Sequence, residues 1–360
     1  MTSWHTELNT VIKMDPPRQD YGQIEVLRAK LGKDLIILGH HYQADSVITH
    51  VDKVGDSLEL ASIIEHIFAK HIVFCGVHFM AETACLLSSS AQQVYLPDIG
   101  ATCTMADMVP YVLLENIIRK LTAYGRRIIP LAYVNTSLAV KAVVGKYGGA
   151  VCTSANAKNM LAWALNQGNG VIFLPDRHLG NNAANLLGLP EHERHVLDIR
   201  NAGNNLDMAA ISAATLLLWP GCCSVHHLFS AKYIEKLRAT HPDAKIYVHP
   251  ECAPATVAAA DGAGSTTYLI KQAAEAPDGA ILGIGTEINL VRRLQKLHAG
   301  RLTIIPLYEK ACSNMAKVDT VNLLSTLQSI TYNKAMPIHV DLALLGPAKD
   351  SLTRMLKNTN

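Results

Sequence analysis

The sequence predicts an α/β protein assembled from three homologous three-layer αβα units, each a short parallel sheet flanked by helices. Two observations carry this. Apolar, β-branched runs that end in polar loops alternate with segments of helical period, the pattern of parallel strands joined by crossover helices. One order of strand, polar signature, helix, second strand and terminal cysteine then recurs three times along the chain, as in a triplicated architecture.

The first unit, 1–108 with an N-terminal extension, opens with DLIILGHHYQ (34–43) and reaches a helix at GDSLELA with Ser57. It continues through HIVFCGVHFMAET (71–83) and ends with VYLPDIGATC at Cys103. The second, 109–229, runs through RIIPLAYVNTS (127–137), CTSANAKNMLAWAL with Ser154 and GVIFLPDRHLGNN (170–182) to LLLWPGCC at Cys222 and Cys223. In the third, 230–316, the counterparts are AKIYVHPEC (244–252), GAGSTTYLIKQAA with Ser265 and Thr266, GAILGIGTEIN (279–289) and LTIIPLYEKAC at Cys312. Pro97 and Cys103 stand at the same spacing as Pro306 and Cys312. Ser and Thr are favoured N-caps, so the four hydroxyls mark helix starts. Residues 317–360 fall outside the repeat and are expected to form helices that pack on the core.

Composition narrows the function. Of 360 residues 49% are apolar, enough for a large core, and the net charge of +2 comes from dispersed side chains. No basic stripe invites nucleic acid and no charge block invites a membrane surface, so a small-molecule ligand is expected. The longest apolar stretch, Met208 to Trp219, is shorter than the roughly 20 residues a spanning helix needs. MTSWHTELNT has neither the basic start nor the apolar core of a signal peptide, which predicts a cytoplasmic protein with reduced thiols.

The eight cysteines contain no CxxC pair, so a metal site must draw on distant loops. Loops after parallel strands open at the carboxyl ends, where α/β proteins bind ligands. Three such units facing a common centre would bring together one cysteine each, able to hold zinc with a fourth ligand or an iron-sulfur cluster with one iron open. Cys75, Cys85, Cys152 and Cys252 lie in or beside apolar segments and read as core; Cys103, Cys312 and one of Cys222 and Cys223 read as ligands. Spacing alone does not choose within the adjacent pair.

His40, His41, His226 and His249 stand in the same strand-end loops, where an imidazole orients a carboxylate or shuttles a proton. Tyr42, Tyr133, Asn135 and Glu251 complete a polar set drawn from all three units. Ser57, Ser154, Ser265 and Thr266, at helix N-termini, suit phosphate or carboxylate oxygens. GIGTEI (283–288) and GAGSTT (262–267) each lack the third glycine of a dinucleotide loop, which sets that function aside.

GHHYQ, GDSLELA, FMAET, CTMADM, YVNTS, CTSANA, FLPDRHLG, WPGCCSVH, VHPEC, GAGSTT, GTEINLV and CSNM, in this order between about residues 22 and 316, together resemble the quinolinate synthase family. The resemblance implies three α/β units around a pseudo-threefold axis with the active site in the central cavity. It implies condensation of iminoaspartate with dihydroxyacetone phosphate to quinolinate, phosphate and water, a transferase reaction of de novo NAD biosynthesis, with functional coupling to L-aspartate oxidase. The family pattern W-x-G-x-C-x-V-H selects Cys223 over Cys222, and with Cys103 and Cys312 it implies three ligands of a 4Fe-4S cluster whose unique iron acts as a Lewis acid. Tyr42 and Glu251 are assigned proton transfer with His249 assisting; His40, Ser57, Tyr133, Asn135, Ser154, His226, Ser265 and Thr266 are assigned to substrate. His41 replaces an asparagine frequent in the family, and Cys312 lacks the CxxCxxC context that some members carry, so no thiol switch is expected there. Competing readings are an electron carrier that uses the cluster without chemistry, which leaves the polar set unexplained, and a zinc-dependent hydrolase or aldolase.

Overall fold

A computed structural model describes residues 19–358. The N-terminal extension expected over the first residues lies outside them. The protein is α/β with three separate, wholly parallel sheets. The first contains β1 (Leu35–His40), β2 (Lys53–Gly55), β3 (His71–Cys75) and β4 (Gln93–Tyr95) in the order β2-β1-β3-β4. The second contains β5 (Ile128–Tyr133), β6 (Ala150–Cys152), β7 (Gly170–Leu174), β8 (Arg194–Val196) and β9 (Leu216–Leu218) in the order β6-β5-β7-β9-β8. The third contains β10 (Lys245–Val248), β11 (Gly262–Ala263), β12 (Ile281–Gly285) and β13 (Thr303–Pro306) in the order β11-β10-β12-β13. The sequence repeat is thus a repeat of topology. Each sheet places its second strand outside its first, and the middle one adds β8 at an edge.

The strands read as continuous apolar runs because helices cover both faces of a parallel sheet. Every residue of β3, β5 and β7 is buried. After the third strand in spatial order, each sheet sends out a helix of the same length, His78–Leu87, Arg177–Leu186 and Ile288–Leu297, all of 10 residues.

The described residues divide into two compact units. One holds the chain up to Thr102, Leu228–His249 and Ala255–His339, hence the first and third sheets; the other holds Cys103–His227, Pro250–Pro254 and the chain from Val340. In the first, the helix Thr320–Thr331 packs on the helix Gln19–Leu31. In the second, the helix Leu342–Lys357 lies against Leu138–Lys146 so closely that a Cβ at Gly145 would meet the Pro347 carbonyl oxygen at 1.7 Å. Arg354 adds a guanidinium bond to the Gly149 carbonyl at 2.7 Å. Gly145→Ala should therefore force the two helices apart and cost roughly 1–3 kcal/mol, the range of overpacked cores; urea or thermal melting against the parent checks this.

Candidate active site and metal centre

One backbone bond recurs after every sheet. The first amide of each ten-residue helix donates to a carbonyl in the loop beyond the next strand: His78 to Ala101 at 2.8 Å, Arg177 to Gly221 at 2.9 Å and Ile288 to Lys310 at 3.0 Å. In all three, one residue separates the acceptor from a cysteine, and those cysteines are Cys103, Cys223 and Cys312. Cys222 stands one place out of this register. No two of the eight cysteines are joined in a disulfide, and the three in register are half-buried, whereas Cys75, Cys152 and Cys252 are fully enclosed. Cys85 is only half-buried, but burial pushes its thiol up to about 12.

In two of the three loops a buried carboxylate braces the cysteine. Asp176, just past β7, caps its helix by accepting from the amides of His178 and Leu179 at 2.7 and 2.9 Å, and its other oxygen accepts from Cys223 N–H at 3.0 Å. Glu287, just past β12, accepts from Asn289 N–H at 2.8 Å and from Cys312 N–H at 3.2 Å. Burial, reinforced by the nearby Glu251 charge, raises Asp176 to about 8, and burial raises Glu287 to about 7. The first repeat has Val77 at this position and no side-chain cap.

Within the second compact unit the site residues form a buried group. His226 Nδ1 lies 2.5 Å from Glu251 Oε2, a pair with side chains 2% and 3% exposed, so the ring donates a charge-assisted bond and the carboxylate fixes its orientation. Glu251 is held in place by Asn182, whose Nδ2 donates to the carbonyls of Pro250 and Cys252, both at 2.8 Å. Donor atoms of Cys223, His226 and Glu251 all lie within 4.8 Å of one another, a set able to hold a metal. The Cys223 sulfur accepts from Val225 N–H at 3.5 Å; burial first, then the Glu251 charge, pushes its thiol up, a bias a bound cation reverses. Trp219 anchors the loop from below, fully buried with its indole N–H on the Met108 carbonyl at 2.8 Å. Tyr133 ends β5, and Asn135 follows with its Oδ1 buried and without a hydrogen-bond partner in the protein. Cys103 occupies the N-cap of the short helix Thr104–Asp107.

The other compact unit carries the remainder except Ser154, which belongs to the second. Tyr42 shares a 2.7 Å hydrogen bond with Thr286 Oγ1, and its amide donates to His40 Nδ1 at 3.1 Å. In the neutral ring this places the His40 proton on Nε2. His249 is buried at the end of β10. Of the four hydroxyls, only Ser265 caps a helix, accepting from Tyr268 N–H at 3.4 Å. Asp56 takes the cap before Ser57 in a reciprocal box with Glu59, because its carboxylate reaches two amides at once. Ser154 precedes Asn156, the residue before the helix Ala157–Leu165, whose side chain folds back to the Thr153 amide at 2.7 Å. Thr266 opens its helix with a buried Oγ1 that has no protein partner.

Comparison with known proteins places this geometry. A family model described as Quinolinate synthetase A protein matches residues 23–357. The chain belongs to this family. Quinolinate synthases of Bacillus cereus strains B4264 and G9842 and of Bacillus anthracis strain A0248 are each 43% identical over 339 residues, covering 93% of this chain and 92% of the relative. The family match spans all three sheets and every assigned site residue. Asp176, Asn182, Thr286 and Glu287 escape a reading by residue type, although the aligned loops FLPD and GIGTE already put a carboxylate at matching places after β7 and β12. No helix among the described residues is long and apolar enough to cross a membrane.

Proposed function

We propose that the protein is a quinolinate synthase, a transferase that condenses iminoaspartate with dihydroxyacetone phosphate in de novo NAD biosynthesis. One observation carries the reading beyond family membership: a cysteine stands in the same register after each of three topologically matched sheets. Cys103, Cys223 and Cys312 would hold a 4Fe-4S cluster, and the donor chemistry fits, since three soft thiol ligands suit iron-sulfur ligation and the Cys223 sulfur already accepts from the Val225 N–H. When bound, such a cluster with three cysteine ligands supplies a Lewis acid through its remaining iron.

The protein's own groups supply the rest. Tyr42 and Glu251 transfer protons, assisted by His249. His226, oriented by Glu251, and His40 bind anionic groups of the substrates, together with Tyr133 and the hydroxyls Ser57, Ser154, Ser265 and Thr266. The unpartnered Asn135 Oδ1 accepts from a substrate O–H or N–H, and Thr266 Oγ1 gains a partner in the same way, because buried polar atoms are otherwise left unsatisfied. The chain is organised as repeats 1–108, 109–229 and 230–316 with a C-terminal helical segment, 317–360, a division supported by the strand orders. The site of action is the cytoplasm, where L-aspartate oxidase is the functional neighbour that supplies iminoaspartate.

The Cys223, His226 and Glu251 donors favour one alternative, a zinc centre in a hydrolase or aldolase. Anaerobic purification followed by iron, sulfide and zinc analysis, with an assay on dihydroxyacetone phosphate and freshly generated iminoaspartate, decides between them. Brown protein with labile sulfide and quinolinate as product is expected. Colourless protein with zinc, no sulfide and no quinolinate would overturn the proposal.

A further inference from the structure

We infer that Asp56 and Thr267 are positioning residues that lock two anion-binding helix mouths, one at Ser57 and one at Ser265 and Thr266, to each other. The two mouths follow β2 and β11, which hold the same place in the first and third sheets. Asp56 directly follows β2 and is buried. One of its oxygens caps the helix Ser57–Ile64 by accepting from the amides of Leu58 and Glu59 at 2.9 and 3.0 Å. The other turns away from that helix and accepts from Thr267 Oγ1 at 3.1 Å. Thr267 is the second residue of the helix Thr266–Glu275, so a single side-chain bond joins the mouth in the first repeat to the mouth in the third.

Asp56 divides its carboxylate as Asp176 and Glu287 do, part on its own helix and part on a distant element. Glu59 closes the cap from the other side by accepting from the Asp56 amide at 3.0 Å, and the fully buried His41 ring lies 3.8 Å from the same Glu59 oxygen. Burial opposes the charge of Glu59, yet His41, the Asp56 amide and the Thr267 hydroxyl outweigh it and hold the carboxyl at about 2. Because Asp56 does the capping, the Ser57 hydroxyl takes no part in the box. Next to Thr267, Thr266 Oγ1 is buried without a partner among the described residues, the mark of a site that a ligand completes. Each mouth offers N–H groups and the positive end of a helix, and two mouths act together on one polyanion only when their separation is fixed before it binds. Asp56 and Thr267 fix that separation.

The inference rests on the substrate role proposed for Ser57, Ser265 and Thr266, and the experiment separates the two. Thr267→Val, Thr267→Ser and Thr266→Val are compared in the cluster-loaded protein for kcat, the KM for dihydroxyacetone phosphate, iron content and quinolinate affinity by calorimetry. Thr267→Val keeps the shape and removes the donor, so binding should weaken about 10-fold while kcat stays within about threefold and iron content matches the parent's. The loss falls on KM if the two mouths take the phosphate and on quinolinate affinity if they take a carboxylate, and Thr267→Ser should restore either to within about threefold. If Thr267→Val is not recovered folded, Thr267→Ala serves the same comparison. A Val or Ala variant with the parent's KM and quinolinate affinity, or with a loss confined to kcat, overturns the tie alone when Thr266→Val binds weakly, as does a Ser variant no better than Val. A Thr266→Val protein that binds both ligands as the parent does overturns the substrate role and the inference with it.

Discussion

Cys223→Ser is expected to fold yet carry neither iron nor labile sulfide, whereas Cys222→Ser keeps both. The substitution is nearly isosteric, and the links that shape the loop do not use the sulfur: Gly221 accepts from Arg177, Asp176 accepts from the Cys223 amide, and Trp219 bonds Met108. What is lost is one thiolate ligand, and a serine hydroxyl is a hard, weakly acidic substitute for a soft donor. Quinolinate formation should fall by roughly 10³-fold or more, since Lewis-acid stabilisation is worth several kcal/mol. Cys222 is out of register by one residue, and its removal should leave iron and activity near the parent's. Iron and sulfide analysis with the visible spectrum reads both variants; the reverse pattern would mean that register after the sheet does not select the ligand.

The same pair shows where sequence reading reached its end. Strand, loop and cysteine were legible in each repeat, because apolar runs of fully buried strands and proline-glycine breaks are local signals. The choice between Cys222 and Cys223 was legible only through the family pattern and not from the spacing of the repeat. Between β7 and β9 the second repeat inserts β8 and short helices, so its spacing no longer matches the other two, and the register is restored only by a bond between distant backbone groups. The hydroxyls were legible as helix mouths, but only Ser265 caps: Asp56 takes the cap beside Ser57 because its carboxylate accepts from two helix amides, and Asn156, two residues past Ser154, stands at the N-cap with its side chain turned back to the Thr153 amide. Asp176 and Glu287 hid for a related reason. Each is a sound helix cap by itself, and its second bond, to a cysteine amide far along the chain, has no signature in the local sequence.

Glu251→Gln should retain the cluster and nearly all of the fold while turnover falls roughly 10²- to 10⁴-fold, the range lost with a general acid or base. Gln fills the same volume, so Asn182 can still clasp the carbonyls of Pro250 and Cys252 and keep the segment in place. Its amide oxygen can still accept from His226 Nδ1, so the ring keeps its orientation even though the charge is gone. Truncation to Ala is a poorer test, because stripping one partner from a buried charged pair costs about 3–5 kcal/mol and would mix unfolding with chemistry. Losing the negative charge also removes one of the influences that raise Asp176, leaving burial as the dominant one. The measurement is kcat beside iron content and melting temperature in the same preparation. A Glu251→Gln protein with intact cluster and kcat within about threefold of the parent would show that His226 needs only an acceptor at this position, and that the proton is moved by another group.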